Sequence, residues 1–443
     1  LIRRIPRWLA SVSAALLSLA SVAVAADNVP PEGFTAIYNG KDFSGWYGLG
    51  TEDPRKVQAL SPEELAKKRE KDTADMLAHW KIENGELVND GKGAYMTSAK
   101  DYGDFELIVE WKLIPKGDSG VYLKGTPQVQ IWDTNESAGY WNLGANKGSG
   151  GLWNNRAGTA GKDPTALADK PIGEWNKFHI IQVGSRTTVL LNDKQVVDHA
   201  ILENYFDKDK KTPIVPKGPI QLQTHGNEVR WKNIYVREIA PEEAVKILAS
   251  KGDEGFASIF DGKSFDGWTG ATENYEVVDG AVACKAGKGG VLHTKAEYTD
   301  FAVRLEVQIP EGGNNGLAIR YPGMGDPAYA GMCELQVLDN ESPKYAKLDA
   351  RQYHGSAYGM IPAARGYQRP VGQWNFQEVT VKGSRVTVEL NGSVILDGDL
   401  AEVKDLMANT PHPGKDNKKG FFGFAGHGDA VKFRNVRIKP LSP

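Results

Sequence analysis

Two histidines stand in matching surroundings: His225 in a His-Gly pair ahead of Asn227-Glu228-Val229, and His427 in a His-Gly pair ahead of Asp429-Ala430-Val431. An imidazole titrates near neutrality, so at the edge of a strand it can accept a proton, donate one or bind a metal. A histidine tied to loop backbone would occupy the same place. The chain keeps the position twice while its neighbours vary, which favours a functional role. A second constellation is Cys333-Glu334-Leu335-Gln336-Val337-Leu338-Asp339. Alternation puts Glu334 and Gln336 on one strand face, with Leu335 and Val337 on the other. Such a face is either the solvated side of a sheet or the floor of a site. The matching earlier residues are Gln128, Gln130 and Asp133, so a base or ligand at Glu334 has no carboxylate counterpart at 128. A third group is the loop Tyr353-His354-Gly355-Ser356-Ala357-Tyr358, matched by Gly148-Ser149-Gly150-Gly151-Leu152-Trp153. Glycine and serine allow backbone to approach a ligand closely, and an aromatic offers a flat face, although a plain turn would look the same.

The elements that must position these residues come in two copies. GFTAIYNGKDFSGWYG at 33–48 recurs as GFASIFDGKSFDGWTG at 255–270. In the same order follow DFELIVEWKLI and DFAVRLEVQI, GEWN and GQWN, GSRTTVLLND and GSRVTVELNG, then HGNEVRWKNIYV and HGDAVKFRNVRI. Five ordered blocks identify a tandem duplication. Phe105, Leu107, Val109, Trp111 and Leu113 alternate along one face, as do Phe301, Val303, Leu305, Val307 and Ile309, which predicts half-buried strands. Asn192-Asp193 and Asn391-Gly392 predict tight hairpins. In the last strand the inward set changes parity at Asn233 and at Asn435, the mark of a β-bulge. Helix is expected in two places: an insertion near 61–80, opened by Ser61-Pro62, and a linker at 241–252. Trp46, Trp268, Trp175 and Trp374 recur in fixed contexts that suit core or corner packing better than ligand stacking. The predicted fold is all-β, two jelly-roll sandwiches over 27–240 and 253–443.

Composition excludes several classes. The formal net charge is −3, and residues 1–26 carry Arg3, Arg4 and Arg7 but no acid, so the surface has no bulk attraction for nucleic acid. Those residues, with a long apolar stretch ending in Ala23-Val24-Ala25, predict a cleaved signal peptide and an exported protein, periplasmic or extracellular, with no membrane span after cleavage. Cys284 and Cys333 cannot make a disulfide framework or a cysteine zinc cage, and are expected buried and free. No phosphate loop, nucleophile elbow or dinucleotide fingerprint occurs in a fitting context, so no cofactor is identifiable. A divalent cation is possible, but no ligand spacing marks it. Oligomeric state is not encoded in any readable feature.

The opening blocks, with Gly45-Trp46 and Gly267-Trp268, then Gly120-Val121-Tyr122, Gln130-Ile131-Trp132-Asp133, Gly150-Gly151-Leu152-Trp153, Gly173-Glu174-Trp175-Asn176 and Gln223-Thr224-His225-Gly226, resemble the 3-keto-disaccharide hydrolase family, long known as DUF1080. The resemblance spans both copies outside the insertion and the linker. It implies concanavalin A-like sandwiches and sugars already oxidised to a ketone at C3. Such a ketone acidifies the hydrogen on C2, so a base can remove it, the C1 substituent can leave by β-elimination, and water can add back. This chemistry needs a base, an acid and donors for the enolate oxygen. On that resemblance His427, Glu334 and His225 are the candidate catalytic or ligating residues, and Gln336, Asp339, His354, Tyr358, Arg320, Gln130, Asp133 and Trp153 the candidate sugar contacts. Lys124 is the first-copy counterpart of Arg320, and a solvent-facing cation is the simpler reading of both. A non-catalytic carbohydrate-binding protein, or one copy catalytic and the other glycan-binding, are the rival readings.

Overall fold

The computed structural model describes residues 28–442; the expected leader at 1–26 lies outside them. Each copy is a sandwich of one eight-stranded and one five-stranded antiparallel sheet, and strand order is the same in both. The smaller sheet of the first domain runs Trp46–Leu49, Tyr95–Ser98, Gln221–Leu222, Asp118–Leu123, Thr126–Trp132. In the second it runs Trp268–Gly270, Gly290–Tyr298, Gly420–Gly426, Asn314–Tyr321, Cys333–Leu338. The alternating strands Phe105–Leu113 and Phe301–Gln308 lie central in the larger sheets and turn their apolar sets into separate cores.

The local signals read from sequence have clear physical counterparts. Asn192 and Asp193 have φ of 52° and 67°, and Asn391 and Gly392 have φ of 49° and 82°, so both hairpins turn through the left-handed region. Asn233 and Asn435, each at φ 51°, sit where the final strand slips register against its neighbour. Trp46 and Trp268 are buried and each gives its indole N–H to a backbone carbonyl at 2.7 Å, Ile37 and Ile259 respectively. Of the four tryptophans expected in core or corner packing, Trp175 and Trp374 lie outside the core. They are partly exposed, beneath Lys112 and Lys232 in one domain and Arg434 in the other. Cys284 and Cys333 are buried and free.

The helix Pro62–His79 opens on a capping box between Ser61 and Glu64. It covers the edge strand Trp46–Leu49: Thr73 Oγ1 accepts the Gly48 N–H at 3.1 Å, and any Cβ on Gly48 would stand 2.0 Å from the Asp72 carbonyl oxygen. An exposed edge is thereby closed against other chains. The helix Pro241–Ser250 buries Ala244, Val245 and Leu248 against Val183 of the first domain and Phe376 of the second. Beside it Arg186 forms a two-pronged ion pair with buried Glu389, and Ser185 N–H donates to Gly392 O at 3.0 Å. Two helices escaped the sequence reading, Pro54–Gln58 and Pro327–Ala330. Each is started by an aspartate cap and a proline, but is too short for any periodicity to register. Among the described residues no helix is long and apolar enough to cross a membrane.

Candidate active site

The strand Cys333–Leu338 sends Cys333, Leu335 and Val337 into the core and leaves Glu334 and Gln336 on the outer face of the smaller sheet. Its partner Asn314–Tyr321 pairs Gly316 with Gln336 and Ala318 with Glu334. Gly316 is required by this arrangement, because a Cβ there would lie 2.0 Å from Glu334 Oε1. His427 emerges just beyond the strand Gly420–Gly426, half exposed, with Nε2 3.6 Å from Glu334 Oε1. Glu334 itself is only 4% exposed. Burial holds its carboxyl above the ordinary glutamate range, an effect that His427 partly offsets. The neighbouring Glu334 carboxylate in turn raises His427 above the usual imidazole value.

A cavity of about 190 Å³ opens over this pair, lined also by Asn314, Asp326, Tyr329, Gln336 and Tyr358. Gln336 Nε2 donates to Asn314 Oδ1 at 2.6 Å. Tyr358 accepts from Gln352 Nε2 at 3.0 Å, which leaves its own hydroxyl proton for the cavity. The wall carrying Asp326 and Tyr329 comes from residues 322–332, a segment between the two strands that contains the helix Pro327–Ala330. His412 fastens that wall: its ring stands 4.9 Å from Tyr329, and Nδ1 donates to Ala328 O at 2.9 Å. In the first domain the equivalent strands meet at a tight turn, Lys124-Gly125, so no such wall exists.

The first domain has the same face with its charges rearranged. His225 Nδ1 lies 3.2 Å from Asp118 Oδ2, and Asp118 Oδ1 accepts Gln130 Nε2 at 2.7 Å. Gln128 Nε2 donates in turn to Gln130 Oε1. By register Asp118 matches Asn314 and Gln128 matches Glu334. Position 128 holds no carboxylate, and the one that meets the first domain's histidine, Asp118, stands on the adjacent strand. Asp118, Asn314, Asp326 and Tyr329 are the residues that sequence reasoning missed. The period-two pattern around Gly120 and Gly316 carried the signal for the strand pair, but not its cross-strand register.

Several other expected contacts are placed elsewhere. Arg320 is 1% exposed and spends its guanidinium on the carbonyls of Thr299, Gly383 and Asn417 and on Asp300, all between 2.7 and 3.0 Å. Lys124 does the same work in the first domain, bonding Gly184 O at 2.8 Å, with burial pushing its pKa down to about 8. Neither is solvent-facing, and neither lines the cavity. His354 is buried behind the strand; its Nδ1 accepts from Leu338 N at 3.3 Å, Nε2 faces Gln377 Oε1 at 3.0 Å, and burial holds the pKa near 4. Asp339 accepts from Gly312 N and Glu341 N, and Asp133 from Lys116 N and Asn135 N, so both close turns at the strand ends. Trp153 packs edge-on against Trp132 at 6.0 Å, with the Lys162 ammonium over its ring. Among the described residues no group of three His, Cys, Asp or Glu side chains is placed to hold a metal ion.

Fold and site together define a tandem jelly-roll protein with a ligand pocket on a sheet face. The chain belongs to the family of 3-keto-alpha-glucoside-1,2-lyase-like domains, whose model matches residues 33–237 and 255–439, and its role is carbohydrate-active. It is 28% identical over 265 residues to a 3-keto-disaccharide hydrolase of Bacteroides thetaiotaomicron, an alignment covering 51% of this chain and 91% of that protein. A solved structure described as a glycosyl hydrolase from Parabacteroides distasonis is 25% identical, with a TM-score of 0.37 over 43% of this chain and 95% of its own. The carbohydrate-binding module CBM66 from Bacillus subtilis is 15% identical, with a TM-score of 0.26 over 39% and 95%.

Proposed function

We propose that the second domain cleaves 3-keto-glycosides by elimination and hydration, and that the protein works outside the cytoplasm. The observation carrying this reading is Glu334, a carboxylate buried on the floor of a cavity with only His427 to offset its desolvation. The reaction starts from the form of the pair that carries one proton, with Glu334 ionised and His427 charged. Glu334 removes the C2 proton of the 3-keto sugar, and its electrons pass into the enolate. Tyr358 and the Asn314 amide supply donors to the enolate oxygen. As the ketone re-forms, a C1–C2 double bond is made, the C1–O bond breaks, and His427 protonates the departing oxygen. Neutral His427 then takes a proton from water as it adds at C1, and Glu334 returns its proton to C2. Atoms and charge balance to net hydrolysis, with both residues restored. The relative named a 3-keto-disaccharide hydrolase supports the substrate class.

The test supplies a 3-keto-disaccharide and its unoxidised parent and follows release of the second sugar. Cleavage of the oxidised compound alone is expected, with loss in Glu334→Gln and His427→Ala. Cleavage of neither compound across a series of divalent metals would sink the enzyme reading.

A further inference from the structure

We infer that the outer face of the first domain is a second, non-catalytic site that holds an unoxidised oligosaccharide, and this rests in part on the carbohydrate reading above. The face has one side built of polar groups and one of aromatic rings. On the polar side His225, Asp118, Gln130 and Gln128 form a continuous hydrogen-bonded chain. Next to it Gln223 is 7% exposed, and its Oε1 has no partner. That oxygen would lie 3.1 Å from a Cβ on Gly120, so it is held over the glycine floor between the strands. Leaving a buried acceptor empty costs free energy, and a hydroxyl donor relieves it. Gln130 Nε2, by contrast, is spent on Asp118 Oδ1 and two backbone carbonyls. The unpartnered group is an acceptor, which suits a sugar hydroxyl.

The aromatic side consists of Trp132, on the same strand face as Gln128 and Gln130, with Tyr140 at 5.7 Å, Trp153 at 6.0 Å and exposed Trp141. Trp141 gives its indole N–H to Thr134 O and Trp153 gives its own to Leu143 O, so both rings are fixed by backbone. The platform and the loop that carries His225 meet at one atom. The Lys116 carbonyl accepts from Tyr140 at 3.1 Å and from Asn227, two residues past His225, at 2.6 Å. Pyranose rings have apolar faces rimmed by hydroxyls, and a flat ring beside polar acceptors matches both. No wall equivalent to 322–332 encloses this face, and His225 is 58% exposed. An open platform takes a run of sugar units, while an α-proton base needs desolvation, and Glu334 at 4% exposed is more desolvated than Asp118 at 12%.

The full-length Glu334→Gln, His427→Ala double variant is titrated with cellotetraose, maltotetraose and glucose, by calorimetry and tryptophan fluorescence. Saturable binding of at least one tetrasaccharide at about 1–10 mM or below is expected. Trp141→Ala, at an exposed position, and Gln223→Ala should each weaken it by about tenfold, ~1.4 kcal/mol. Because binding is read without turnover, the result is independent of whether the second domain cleaves 3-keto-glycosides. No saturable binding of either tetrasaccharide, or binding indifferent to both substitutions, overturns the inference. Turnover of a 3-keto-disaccharide that survives in the double variant and disappears on Asp118→Asn also overturns it, by making this face catalytic. So does Trp141→Ala that changes only self-association.

Discussion

Glu334→Gln keeps the shape of the side chain and removes its charge, and its two effects should point in opposite directions. Activity should fall by about 10²–10⁴-fold, the usual contribution of a positioned base, or ~3–5 kcal/mol of barrier. Stability should rise. Glu334 is buried, and burial is the main cause of its raised pKa, so the folded protein keeps this proton to higher pH than the unfolded chain does. Stability therefore declines as pH climbs from the ordinary glutamate range through the folded value, and above it the whole penalty is present. Glutamine abolishes that penalty, while half-exposed His427 can find water. The gain at pH 8 should be about 0.5–2 kcal/mol, typical for relieving a strained functional group. A domain of this size then melts about 2–4 °C higher per kcal/mol. Scanning calorimetry at pH 4, 6 and 8, run beside turnover of a 3-keto-disaccharide, reads both effects. A variant that melts below wild type at pH 8, or a difference that does not shrink toward pH 4, would show that the carboxylate is held for structure and refute the reasoning.

The pH profile of kcat/KM should be a bell. Activity rises as Glu334 ionises, later than an ordinary glutamate, and falls as His427 loses its proton, later than a free imidazole; a profile flat between pH 5 and 9 would contradict the pairing. Gly316→Ala places a Cβ against Glu334 Oε1 and should cost on the order of 10²-fold in kcat, with circular dichroism and melting close to wild type. Unaltered kcat would mean the carboxylate is free to move aside without consequence. Arg320→Met removes a buried cation from three carbonyls and Asp300, and should cost about 3–5 kcal/mol in urea unfolding. A midpoint equal to wild type would return Arg320 to the candidate sugar contacts.

The parts legible in the sequence were those set by neighbours along the chain. Alternation at Phe105–Leu113, positive-φ residues at Asn192-Asp193 and Asn391-Gly392, and the parity change at Asn233 and Asn435 all depend on a few consecutive residues. The helix opened by Ser61, Pro62 and Glu64 is of the same kind. Glu334 and Gln336 could be assigned to one face for that reason, with Cys333 behind them. Arg320 and Lys124 were misplaced because a cation after an alternating strand reads as exposed. In the fold each side chain turns back at a positive-φ residue, 44° and 54°, to bind a turn more than fifty residues away. His354 was misplaced similarly, since its partner Gln377 comes from the opposite sheet.

By itself, then, the sequence determined a duplicated β-sandwich, because a repeat and a two-residue period are properties of the linear chain, and it picked out the two histidines. Only the tertiary structure decided which carboxylate each histidine meets, since strand register joins His427 to Glu334 but His225 to Asp118. It also decided that the second domain has a walled cavity while the first lacks that wall. Residues 322–332 supply a wall in one copy, where a two-residue turn serves in the other, and a wall excludes water only once it is folded over the sheet.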